Sequence, residues 1–85
     1  MSPYITQPAR VPLDPLINKL IEDINDVGQL NYVITRLAHG FADAMGANYT
    51  AFNATIGALE CAKLELYRRR VAAYEDLKKD INGDV

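Results

Sequence analysis

The densest chemistry in this 85-residue sequence is the run Tyr67-Arg68-Arg69-Arg70, followed by Tyr74. A guanidinium offers bidentate hydrogen bonds to a phosphate, and a tyrosine ring offers a stacking face to a base. The pair suits a nucleotide-derived small molecule. Tyr67 and Tyr74 stand seven residues apart, two turns of a regular α-helix, which puts them on one face. Successive arginines point about 100° apart, so at most two of the three serve one site in one chain. The competing reading is a solvated basic stretch paired with Glu65, Glu75 and Asp76 at helical spacings.

A second group lies among apolar residues. Arg36 is flanked by Ile34 and Leu37, and Glu60 and Glu65 fall in the most apolar part of the chain. Charges so placed need partners. An ion pair from Arg36 to Glu60 or Glu65 would fix how two helices cross. The alternative is a polar pocket between helices, with Asn31, Tyr32, Thr35 and Arg36 on one side and Asn53, Gly57 and Glu60 on the other. The candidate ligand-binding residues are therefore Arg36, Asn53, Glu60, Tyr67, Arg68, Arg69 and Tyr74.

The catalytic inventory is poor. Ser2 is the only serine, so a serine–histidine–acid triad has no basis. Cys61 and His39 are the only thiol and imidazole. Cys61 lies in an apolar stretch, where a thiol is inert packing. One cysteine and one histidine cannot complete a zinc site, and no glycine-rich phosphate loop is present. The reading is a non-catalytic protein with no metal and no cofactor.

Charge and composition narrow the partners. Nine Lys and Arg against eleven Asp and Glu leave a net charge of −2. A general nucleic-acid binder needs a basic footprint instead. Hydrophobic residues make up 49% of the chain, a globular profile. No apolar run approaches the roughly 18 residues of a membrane span. The N-terminus lacks the basic-then-apolar pattern of a signal peptide, and a lone cysteine suits a reducing compartment. A cytoplasmic location follows as the expectation.

The elements that would position these residues are helical. Residues 1–13 hold Pro3, Pro8 and Pro12 and read as an extended N-terminal arm. Residues 14–85 read as one helical domain. Asp14 as N-cap and Pro15 as first residue open a helix whose stripe is Leu16, Ile17, Leu20, Ile21, Ile24 and Val27, closed by Gly28. A second helix begins near Asn31, carries Ile34, Leu37, Phe41 and Met45, and ends at Gly46. Gly40 inside it predicts a close helix–helix approach. The third runs from Tyr49 to Ile81, about 50 Å at 1.5 Å per residue. Two helices of about 15 residues span only ~22 Å each and cannot cover it.

Apolar residues nonetheless occupy nearly every face between Ala58 and Tyr67, which marks a buried helix. A second copy of the long helix would bury it. A break near Arg68–Arg70, folding the tail back, is the alternative. The predicted fold is all-α: two short helices and one long C-terminal helix, assembled as a helical-bundle homo-oligomer through the Tyr49–Ile81 helix.

The pattern Leu30-Asn31-Tyr32-x-Ile34-Thr35-Arg36-Leu37, then Asn53-x-x-Ile56-Gly57-x-Leu59-Glu60-Cys61-x-Lys63-Leu64-Glu65-x-Tyr67-Arg68-Arg69, then Tyr74-Glu75-Asp76 and Asn82-Gly83-Asp84-Val85, resembles a family of small uncharacterised proteins encoded by phages and bacteria. The resemblance implies no established activity and carries over no functional residues. The phage context it implies raises one class of function: small helical oligomers that sequester nucleotide-derived signals of bacterial immunity. A protein–protein interaction module, an inhibitor of a host protein or a small assembly factor, is the other.

Overall fold

The computed structural model describes residues 2–85. Five α-helices follow one another: α1 (Gln7–Arg10), α2 (Asp14–Asp23), α3 (Val27–Ala44), α4 (Tyr49–Leu66) and α5 (Ala72–Asn82). A π-helical turn, Tyr67–Val71, joins α4 to α5, and no strand occurs among the described residues. The all-α class and the long C-terminal helix agree with the helical periodicity. From Tyr49 to Asn82 the rod is about 51 Å long at 1.5 Å per residue. The longest dimension of the chain is 50 Å.

Local capping sets the boundaries. The sequence reading closes the first helix at Gly28 and opens the second near Asn31. The structure instead ends α2 at Asp23, where Ile24 turns extended, and starts α3 at Val27. The cause is a reciprocal cap. Asp26 Oδ1 accepts the Gln29 N–H at 2.7 Å, and Gln29 Oε1 accepts the Asn25 N–H at 2.6 Å. Both satisfy donors at the helix start. Similarly, α2 includes Asp14 as its first residue rather than as a cap.

The far end of α3 closes as predicted at Gly46. Gly46 N–H donates to Asp43 O and Ala47 N–H to Ala42 O, at 3.1 and 2.9 Å. This double bond pattern is a Schellman motif, and it needs a left-handed residue after the helix. Gly46 supplies one, with φ 108°. Asn48 then caps α4 by accepting the Ala51 N–H at 2.9 Å. The tight link lays α3 back along α4.

Residues 1–13, predicted as an extended arm, are not extended throughout. Met1 lies outside the described residues, and Gln7–Arg10 forms one helical turn. Pro8 lies in its first turn, where an N–H would have no intrahelical acceptor. Arg10 Nε donates to Ile5 O at 2.9 Å. The arm lies on α4: Ser2 and Pro3 border Ala58, Cys61 and Ala62.

The long helix neither stops nor folds back at Arg68–Arg70. Ala72 N–H bonds to Tyr67 O, five residues back, so the rod absorbs one extra residue and continues. Beyond that turn α5 makes no extensive contact with α2, α3 or α4. The α3–α4 contact is a seam of small residues. Among the described residues only Ala42, Ala51 and Thr55 are buried. Gly40 has no part in the seam, because a Cβ placed there would meet nothing within 4 Å.

Candidate functional site

The seam leaves an apolar groove on each side. Ala38, Thr55 and Leu59 border both grooves. Ile34, Leu37, Phe41, Ala58 and Ala62 complete one of them. His39, Ala42, Asp43, Phe52 and Ile56 complete the other. The grooves exist because alanines let two backbones approach, while the larger residues flanking them stand outward. Phe41 is 51% exposed and Leu37 61%. Farther along the rod, Leu64, Leu66, Tyr67 and Val71 form a third apolar surface beside Lys63.

Among the described residues, the one polar cluster linking distant parts of the chain is Tyr4, Glu65 and Arg68. Arg68 Nη2 donates to Glu65 Oε1 at 2.7 Å and to Tyr4 Oη at 3.3 Å. The Tyr4 hydroxyl donates to the same carboxylate oxygen. The Tyr4 hydrogen bond, and after it the Arg68 hydrogen bond, hold the Glu65 carboxyl below its usual range. Glu65 in turn raises the Arg68 guanidinium above its own. The cluster ties the arm to the last turn of α4. On sequence grounds Tyr4 is one of four apolar residues, with Ile5, Val11 and Leu13, by which the proline-rich arm would lie on the rest of the chain; its hydroxyl partners are not legible there.

The predicted site residues fall apart into local pairs. Arg36 Nη1 donates to Tyr32 Oη at 2.8 Å, its guanidinium carbon lying 5.7 Å from that ring's centroid. No carboxylate pairs with Arg36 among the described residues, so the expected ion pair to Glu60 or Glu65 is not formed. Glu60 pairs with Lys63 at 2.9 Å, one helical turn away. The remaining polar row of α3 is satisfied locally, Thr35 donating to Asn31 at 3.0 Å. Asn53 is exposed on α4. These residues do not line the apolar grooves. Short i,i+3 and i,i+4 reach explains the outcome for Arg36, Thr35 and Glu60, each of which finds a partner on its own helix first.

The π turn also separates the two tyrosines. Absorbing one residue changes their angular offset by about 100° relative to a regular helix, so Tyr67 and Tyr74 do not share a face. Tyr67 joins the third apolar surface. The Tyr74 ring instead carries Lys78 Nζ 5.6 Å from its centroid. Arg69 and Arg70 are exposed and have no ion pair among the described residues.

Cys61 lies beneath the arm and His39 borders an α3–α4 groove, so the two line different surfaces. No group of three or more His, Cys, Asp or Glu placed to hold a metal ion occurs among the described residues. No helix of the described residues is long and apolar enough to cross a membrane.

The model of the family described as Domain of unknown function (DUF6899) matches residues 1–85, and the chain belongs to that family. Comparison with curated proteins and with solved structures gave no match.

Proposed function

We propose that this member of a family without an assigned activity works by binding rather than catalysis, as an obligate assembly of its own copies. One observation carries the reading. The chain exposes 7337 Å². A compact monomer of 9.4 kDa exposes about 5,000 Å². The excess is therefore about 2,300 Å² per chain, within the range that obligate interfaces bury. Its radius of gyration, 16.3 Å, likewise exceeds the ~12 Å of a compact domain this long. Leu16, Ile21, Leu37, Phe41, Leu66, Leu77 and Ile81 are all more than half exposed, far more apolar surface than soluble monomers leave open.

The role that fits such a body is an interaction module, either an inhibitor of a host protein or a small assembly factor, in a reducing, cytoplasmic setting that suits the free Cys61. Light scattering across a dilution series tests the first step. A particle of two or more chains at micromolar concentration is expected; a monomer throughout would overturn the reading.

A specific observation favours a second reading, a phage-type sponge for a nucleotide-derived immune signal. Arg69 and Arg70 are exposed cations with no ion pair among the described residues, and Tyr67 stands close to them in sequence. This reading rests on Tyr67, Arg69 and Arg70, without Tyr74, whose ring carries Lys78. Calorimetry with cyclic dinucleotides tests it: heat that is lost in Arg69→Ala supports the sponge, and absence of heat removes it.

A further inference from the structure

We propose that each α5 packs into the α3–α4 groove of a second copy, so that two long helices run antiparallel and cross between Tyr67 and Arg68. This inference rests on the self-association reading and names its geometry.

The π turn supplies the first support. On α4 the side meeting α3 carries Thr55, Leu59 and Ala62, and Leu66 follows at helical spacing. In a regular helix Leu66 and Tyr74, eight residues apart, would point about 80° apart. The residue absorbed in the π turn reduces the spacing to seven effective steps, about 20° from alignment. Tyr74, Leu77 and Ile81 therefore extend the line of Leu59, Ala62 and Leu66. One apolar face runs along the rod. It meets α3 over α4 and has no extensive contact with α2, α3 or α4 over α5.

The second support is α5 itself. It is the last 11 residues of the rod, and it has no extensive contact with α2, α3 or α4. Its apolar anchors Tyr74, Leu77 and Ile81 are 55–66% exposed. They follow the i, i+3, i+7 spacing by which an amphipathic helix enters a groove. The chain's own grooves are out of reach, because the rod continues away from α3.

Length and symmetry agree. The anchors span seven residues, as do Ile34–Phe41 and Thr55–Ala62 on the groove walls, each about 10 Å. Placing Leu77 opposite the partner's Ala58 puts the crossing midway, between Tyr67 and Arg68. Leu66, 61% exposed, lies on the shared face beside that point. The two grooves filled by two α5 helices make one isologous interface, and the excess of about 2,300 Å² per chain is enough for it.

Paired cysteines test the arrangement in the full-length chain. With Cys61→Ser as background, Leu37→Cys is placed in one tagged chain and Leu77→Cys in a differently tagged chain. The mixture is oxidised and its mass read on a non-reducing gel. The expected result is a disulfide-linked heterodimer, absent from a control pairing Leu16→Cys with Leu77→Cys. If light scattering shows assembly but the Leu37–Leu77 link forms no better than the control, the α5 docking is overturned and self-association stands. If scattering shows a monomer, both fall.

Discussion

Replacing Leu37 with alanine separates a half-solvated side chain from one buried against a second copy. In the isolated chain Leu37 is 61% exposed. Full burial of a leucine is worth about 1.5–3 kcal/mol, so truncation in a monomer costs about 1 kcal/mol. The slightly better helix propensity of alanine offsets a few tenths of that. In a groove closed by another chain the side chain is fully buried, and its removal also leaves a cavity, for a total of about 2–5 kcal/mol. The added loss is about 2 kcal/mol per groove. Two grooves in a dimer make it about 4, which raises the dissociation constant roughly a thousandfold. Sedimentation of wild type and Leu37→Ala over the same dilution series reads this directly. An unchanged dissociation constant, with an unfolding change no larger than about 1 kcal/mol, would refute the claim that this groove is covered.

Four further outcomes follow from local features. Asp26→Ala removes the acceptor for Gln29 N–H and should cost about 1 kcal/mol, a fall in melting temperature of about 4–8 °C; no fall would mean that α3 does not start at Val27. Gly40→Ala should gain up to about 1 kcal/mol of helix propensity, since a Cβ there meets nothing; a lowered melting temperature would place a neighbouring copy against Gly40. Arg36→Met should change stability by less than about 0.5 kcal/mol, because its partners are the hydroxyl and ring of Tyr32; a larger loss in thermal melting would restore a carboxylate partner. The fourth concerns pH. Glu65 has its pKa lowered by Tyr4 and Arg68, so the clasp is fully present above the ordinary glutamate value of about 4.3 and is lost as pH falls through the lowered one. Hydrogen exchange should show the arm released on acidification and, at neutral pH, in Glu65→Gln; protection that persists in Glu65→Gln would mean the arm is held by other contacts.

The sequence alone carried the helical class, the start of the long helix at Tyr49, its approximate length and the stop of α3 at Gly46. These are local properties. Apolar periodicity and a glycine free to adopt positive φ act within one or two turns. The start of α3 was legible too, in Asp26-Val27-Gly28-Gln29, but Gly28 read as a stop obscured the cap. The fate of the polar residues was not legible. Whether Arg36 meets Glu60 across two helices or Tyr32 along one depends on which group lies within reach once the backbones are placed. The π turn was equally hidden. No residue in Tyr67–Val71 is a helix breaker, and the extra residue shows only as a shift in register between Leu66 and Tyr74. Only the tertiary structure decided that shift. It carries the apolar face across the turn, parts Tyr67 from Tyr74, and leaves α5 pointing away from every surface of its own chain that would bury it.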